Sequence, residues 1–212
     1  MHNDKKKVVD FLNLHLNHFE ELEPIASETR HQVPTDTKFF SQILASLVTG
    51  IRGIERKKGA DLSDGSDVKA ALVWEAIDTP RFNGCLKAGT KSSASGNMKS
   101  LDEQPFLFLI MWDEKGKAKS KRVRIWSVNT KKDALFRNMA LAWYKKRDKK
   151  IIKSNNFQLH PPRNKDSNEI RNTCGNLNYP LMFEAVYNKK LNSYEILTWK
   201  KDYADLSCSN AL

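Results

Sequence analysis

Three observations on this 212-residue sequence predict a mixed fold, α/β or α+β. Segments with apolar residues every three or four positions alternate along the chain with short runs, rich in Val, Ile, Phe and Trp, that have the length of strands. Those runs are separated by helical or polar stretches, so part of their pairing is nonlocal. Hydrophobic residues make up 40% of the chain, which excludes global disorder and is enough for one substantial core.

Taken in order, residues from about Asp4 to Leu22 set Val8, Val9, Phe11, Leu12, Leu14, Leu16 and Phe19 among polar neighbours. That is an amphipathic helix, not a secretory leader. His15 and His18 on it read as surface histidines. Pro24 and Pro34 bracket the loop that follows, and residues 1–34 form an N-terminal helical segment, suited to dimerisation, of a single domain spanning 1–212. Thr37 to Arg56 carries Phe40, Ile43, Leu44, Leu47, Val48, Ile51 and Ile54 at helical spacing, with Thr35, Asp36 or Thr37 as caps. Ser66 to Trp74 reads as a strand, and Asn83 to Ser100 as a Gly- and Ser-rich loop. Phe106 to Trp112 and Arg122 to Val128 are hairpin-linked strands, with Trp112 to Lys117 as an exposed turn. Lys131 to Lys146 is a third helix, and Leu181 to Tyr187 with Tyr194 to Trp199 is a last hairpin. The longest apolar run, Phe106 to Trp112, is too short to span a bilayer. Cys85, Cys174 and Cys208 are odd in number and lack zinc spacing, as expected of reduced thiols in a cytoplasmic protein.

The chemistry concentrates between Glu55 and Val73. Asp61, Asp64 and Asp67 stand within seven residues of one another, and Lys69 follows Asp67 by two. Carboxylate oxygens are hard ligands of the kind Mg²⁺ accepts, and an ammonium beside them can serve the attacking water or offset charge on a phosphate. In a strand, Asp67 and Lys69 leave the same face. Asp64-Gly65 is a turn signal. With a two-residue loop, Asp61 lies opposite Val68 and points away from Asp67. With the three-residue loop Ser63-Asp64-Gly65, and Gly65 left-handed, Asp61 falls opposite Asp67, where directly opposed Cβ atoms are about 5 Å apart. Only the second register builds a two-carboxylate site, so Asp64 is assigned to the turn and Asp61, with Asp67, to the metal. Glu55, four residues after Ile51 and seven after Val48, lies at the edge of the buried stripe of that helix and faces inward as a third acid.

These residues resemble the PD-(D/E)xK nucleases, and within them the type II restriction endonucleases. The family pattern is an acid, a spacer, then Asp or Glu, any residue and Lys, often with a glutamate on the preceding helix; it falls here on Glu55, Asp61, Asp67 and Lys69. No proline precedes Asp61 and the spacer has five residues. The tripeptide alone is weak, since Asp113-Glu114-Lys115 and Asp36-Thr37-Lys38 also fit it. The resemblance implies a restriction-endonuclease-like mixed central sheet flanked by helices. It implies Mg²⁺ held by Asp61, Asp67 and the Val68 carbonyl, with Lys69 at the attacking water. It further implies 5′-phosphate and 3′-hydroxyl ends, a homodimer matched to a palindromic site, and a cognate DNA methyltransferase in the same system.

Charge fits a double-stranded DNA substrate. The formal net charge is +11, and Lys115 to Arg171 holds 18 Lys and Arg against four acids, Asp133, Asp148, Asp166 and Glu169. Such a field binds phosphates nonspecifically and weakens steeply with salt. Donors able to reach phosphates or base edges cluster in Lys117, Lys119, Lys121, Arg122 and Arg124, and in the segment with Arg163, Asn164, Lys165, Asn168, Arg171 and Asn172. A repair or recombination nuclease with the same core, and a noncatalytic basic DNA-binding protein, are the rival readings.

Overall fold

The computed structural model describes residues 4–31, 33, 37–55, 59–74, 79–86, 98–163 and 166–210. Its centre is a five-stranded mixed sheet in the order β1-β2-β3-β6-β7. The strands are β1 (Asp67–Leu72), β2 (Phe106–Lys115), β3 (Ser120–Asn129), β6 (Phe183–Asn188) and β7 (Ser193–Trp199). β1 runs parallel to β2, and the remaining pairs are antiparallel. A smaller sheet, β4 (Glu169–Asn172), β5 (Gly175–Asn178) and β8 (Ser209–Asn210), is antiparallel throughout. The predicted mixed sheet flanked by helices is therefore the fold.

Alternation along the strands sorts the sheet into two cores. Phe108, Ile110 and Trp112 of β2 join Val123 and Ile125 of β3 on one face. Against them lie α1 (Lys5–Glu28), through Val8, Leu12, Leu16 and Phe19, and α2 (Lys38–Thr49), through Leu44, Ala45 and Val48. Leu107, Leu109, Met111, Trp126 and Val128 face the other way. They pack on α4 (Ala134–Asp148) and on Ile170 and Leu177 of the smaller sheet. A short helix, α3 (Lys99–Asp102), precedes β2. Among the described residues, no helix is long and apolar enough to cross a membrane.

The helix limits differ from the sequence reading for identifiable reasons. α1 starts where Asp4 caps it, its carboxylate accepting from the Lys6 N–H at 2.9 Å. It runs through Pro24 to Glu28, six residues past Leu22, and Ala26 in that extension is buried in the core. α2 stops at Thr49 because Gly50 adopts φ 80° and closes the helix onto the Ser46 carbonyl. The apolar spacing that runs on to Ile54 belongs to extended chain. Of the predicted caps, Thr37 makes no side-chain cap bond, and residues 35 and 36 lie outside the described residues. Most of the predicted loop from Asn83 to Ser100 also lies outside them. His15 is not a surface histidine. It packs 4.3 Å from Trp112 and 4.4 Å from Phe40, and burial, with His18 adding to it, lowers its pKa to about 4. The donor-rich segment that carries Arg163 to Asn172 ends in β4.

The turn expected after Trp112 is another correction: β2 continues to Lys115, and Asp113 is 1% exposed. Directly across the ladder, Arg122 grips Asp113 with two bonds, Nε to Oδ1 at 2.8 Å and Nη2 to Oδ2 at 2.7 Å. Arg124 adds a third, Nη2 to Oδ2 at 2.7 Å. Removing one partner of a buried ion pair leaves the others uncompensated, at a cost of about 3 to 5 kcal/mol. Asp113→Asn is expected to lower stability by about that amount in urea unfolding. A loss below about 1 kcal/mol would mean that water reaches the two guanidinium groups.

Candidate active site

The chain that leaves α2 at Gly50 pairs with the residues ahead of β1. The Ser63 N–H donates to the Arg52 carbonyl at 2.8 Å and the Ile54 N–H to the Asp61 carbonyl at 3.1 Å, around a bridge between Gly53 and Leu62. A tight turn follows, with the Gly65 N–H on the Leu62 carbonyl and the Asp61 and Leu62 N–H groups both on the Ser66 carbonyl. Asp64 builds this turn, accepting from the Ser66 N–H at 2.9 Å and the Ser66 hydroxyl at 2.8 Å. Gly65 has φ 97°, and a Cβ there would sit 3.2 Å from the Glu103 carbonyl.

Asp61 and Asp67 are thus not opposed in a hairpin ladder: Asp61 pairs back toward 52–54, while β1 pairs with β2. They meet by another route. β1 is the end strand of its sheet, and its Val68 N–H is taken by the Asp61 Oδ2 at 2.9 Å and by the Asp67 Oδ1 at 3.1 Å. The second oxygen of Asp61 accepts from the Gln42 side-chain amide of α2 at 2.6 Å. Burial raises the Asp61 pKa to about 6, and a hydrogen bond with the Asp67 carboxyl adds to that, against the lowering effects of the Val68 N–H and Lys69.

Lys69 follows on the same face, its Nζ 2.7 Å from the Asp67 Oδ2. Burial works against its charge, but Asp67 outweighs burial and the pKa is raised. Beneath it lies Cys85, whose thiol is pushed up to about 12 by burial although Lys69 pulls it down.

The donor set fits a hard divalent cation. Two carboxylates held close enough to share a proton are the arrangement in which such an ion can replace that proton. Among the described residues no third His, Cys, Asp or Glu converges with them, so other oxygens must complete the coordination. The N–H and C=O of one strand residue leave the same edge, which turns the Val68 carbonyl toward the acids. Glu55 is exposed on the loop after α2, not inward on a helix. It shares with Gln42 and Asp61 the lining of a cleft of about 480 Å³, floored by apolar α2 residues.

The predicted DNA contacts fall into separate groups. Lys117 and Lys119 are exposed at the β2–β3 turn, about 30 Å of strand from the level of Asp67. Lys121 binds Glu114 at 3.2 Å and lies over the Trp74 ring. Arg122 and Arg124 are 2% and 1% exposed and hold Asp113, so they present no guanidinium to solvent. Arg163 is exposed, Arg171 donates to the Pro161 carbonyl at 3.0 Å, and Asn168 accepts from the Trp126 indole at 3.4 Å. Asn172 shapes the β4–β5 turn by accepting from the Cys174 N–H. Asn164 and Lys165 lie outside the described residues. Sequence reading missed Gln42 and Cys85 at the acids, because only tertiary packing brings them there.

The type II restriction enzyme MamI of Microbacterium ammoniaphilum is 30% identical over 187 residues, covering 82% of this chain and 60% of that enzyme. The chain therefore spans about 60% of the length of the curated relative it matches. No solved structure matches it. The model of the MamI restriction endonucleases matches residues 24–192, which include Gln42, Asp61, Asp67 and Lys69, and the chain belongs to that family.

Proposed function

We propose that this protein is a type II restriction endonuclease that hydrolyses double-stranded DNA phosphodiesters at a short specific sequence, using Mg²⁺. The single observation that carries the chemical part is the pair of Asp61 and Asp67 carboxyls at one strand edge, with the Lys69 ammonium 2.7 Å from Asp67. Asp61, Asp67 and the Val68 carbonyl would hold the ion. When bound, a divalent cation offsets charge on the scissile phosphate and makes water a better nucleophile.

The remaining work falls to this chain's residues. Lys69 enters the step charged, since Asp67 raises its pKa. It holds the attacking oxygen by donating to it and opposes the negative charge that grows on the phosphate. Gln42 and the Val68 N–H fix the two Asp61 oxygens, so the acid pair is oriented before substrate arrives. Glu55 lines the adjoining cleft, where it can take part through water. The proposed working unit is a homodimer on a palindromic site, with a DNA methyltransferase protecting the host's own copies.

Plasmid cleavage with Mg²⁺ is the test. Lys69→Ala and Asp67→Asn are each expected to lower the rate by at least about 100-fold. Full activity in both would place the chemistry elsewhere. Cutting of branched or mismatched duplexes, with plain plasmid left intact, would instead favour the repair or recombination reading.

A pH dependence follows from Asp61. Folded, metal-free protein holds a proton that the unfolded chain has released between the ordinary carboxylate pKa and about 6, so its stability falls as pH rises through that window. Mg²⁺ competes with the proton, so cation affinity is expected to rise over the same window. Calorimetric titration of Mg²⁺ at about pH 5.5 and about pH 7.5 should show tighter binding at the higher pH, and Asp61→Asn should abolish that difference. Equal affinity at both values would remove Asp61 from the ligand set.

A further inference from the structure

α2 carries more apolar surface than its packing on the sheet uses. Its buried side chains are Ser41, Leu44, Ala45 and Val48. Beside them runs a second stripe, Phe39, Gln42, Ile43, Ser46 and Leu47, with the same spacing of three and four residues. Phe39 on it is 62% exposed and Ile43 49%. This stripe forms one wall of the cleft of about 480 Å³, and Gly53, Ile54 and Glu55 of the extended chain after α2, with Asp61, form the other. The bridge between Gly53 and Leu62 holds that second wall in place. A Cβ at Gly53 would stand 3.8 Å from the Ser46 Oγ of the facing wall, so a side chain there would grow into the cleft.

The cleft suits a flat, neutral group. Its volume lies within the range of about 300 to 1,000 Å³ of small-molecule sites, and like them it sets a few polar groups among apolar walls. The charged residues along it, Glu55 and Asp61, are both acids, so it repels a phosphate. Glu55, Ser46 and the Gln42 carbonyl offer acceptors to an amino group, and Phe39 offers an aromatic face for stacking. A nucleobase matches all of these. Asp61 fixes the location, because it lines the cleft and also stands against Asp67 in the acid pair. A strand whose phosphate is held at that pair carries its next base about one nucleotide step, 3.4 Å, further on. A second copy of the chain seated on the stripe would instead cover Asp61 and bar DNA from the acid it must reach.

We propose that the cleft between α2 and residues 53–55 receives a nucleobase flanking the scissile phosphate, turned out of the duplex and stacked on Phe39. This rests on the nuclease reading above and adds to it a nucleotide subsite beside the acid pair. A base inside a duplex is paired and stacked, and contact with Phe39, Ile43 and Ile54 offsets the cost of turning it out. The acceptors along the cleft favour a base with an exocyclic amino group over thymine. Seating the base also holds the phosphate next to it against the acids.

Sequencing the ends left by plasmid cleavage gives the scissile position. Short duplexes of that sequence, with the fluorescent base 2-aminopurine on either side of the scissile phosphate or several base pairs away, are then bound with Ca²⁺ in place of Mg²⁺ to hold back cleavage. Stacking quenches this base, so its emission is expected to rise at one flanking position and to stay low at the remote one. Phe39→Ala and the cleft-filling Gly53→Leu should each abolish the rise and weaken binding about 5-fold or more, the loss of one stacked base, while Phe39→Tyr retains both. Thermal melting of each variant separates an emptied or filled cleft from an unfolded chain. No rise at either flanking position, in a duplex that wild type binds and cuts, overturns the subsite and leaves the nuclease reading standing. Folded Phe39→Ala and Gly53→Leu chains that keep the rise do the same. A change from dimer to monomer for Phe39→Ala in light scattering would assign the stripe to a second copy and also overturn the subsite. A folded wild-type chain that neither binds duplex nor cuts plasmid would overturn both readings.

Discussion

The Asp61 carboxylate is the tie on which the arrangement of the candidate site depends. One oxygen receives the amide of Gln42 from α2, and the other receives the Val68 N–H from the outer edge of β1. The helical layer and the sheet are joined at that point by two hydrogen bonds to one partly buried acid, each stronger when the acceptor is ionised. The same contacts bring Asp61 against Asp67, which disfavours full ionisation of the pair and raises the Asp61 pKa to about 6. The fold therefore holds two acids closer than they would choose in solution. In a site that binds a divalent cation, that cost is met during folding, and the ion relieves it on arrival.

Charge elsewhere is divided by burial in a way that composition conceals. Arg122 and Arg124 belong to the most basic stretch of sequence, yet both close on Asp113 inside the protein, with Glu184 3.6 Å from Arg122. Their strand position explains it. Arg122 is cross-strand partner to Asp113 and Arg124 to Met111, so the side chains leave the sheet toward the α4 core. The Ser167 carbonyl accepts from Arg124 at 2.9 Å, which anchors the segment after Arg163 onto the sheet. Two arginines that would add to a surface field instead fix the segment that carries other surface charges.

Much of the fold was legible because it is written in periodicity. β2 and β3 followed from their apolar runs, the β6–β7 hairpin from paired runs, and α4 from helical spacing. α2 overran because Ile51 and Ile54 continue the spacing by coincidence while Gly50, the residue that ends the helix, gives only a local signal. The acid pair was legible in identity and not in geometry. Spacing nominated Asp61, Asp67 and Lys69, and gave Asp64 to the turn, where it bonds Ser66. It also supplied a hairpin ladder that does not exist, since nothing in a single sequence reveals that 61–63 pair with 52–54 while β1 pairs with a strand almost forty residues later. Gln42 and Cys85 are purely tertiary neighbours. The burial of His15 and Asp113 was missed because a polar residue inside an amphipathic pattern is ordinarily assigned to water.

The end position of β1 ties these features together. An end strand leaves backbone N–H and C=O groups unpaired along one side, which invites pairing with another chain. Here that side is used: Asp61 and Asp67 occupy the Val68 N–H, and the Lys69 charge stands beside them. A central strand would have given its N–H groups to neighbours on both sides, and no carboxylate could have been fixed against it in this way. The parallel pairing with β2 has a further consequence, because it demands a long connection from Leu72 to Phe106. Within that connection, residues 79–86 bring Cys85 into electrostatic reach of Lys69 and Arg81 opposite His160. One topological choice thus leaves the outer edge of β1 to the Asp61 and Asp67 carboxylates and sets the Cys85 thiol within electrostatic reach of Lys69.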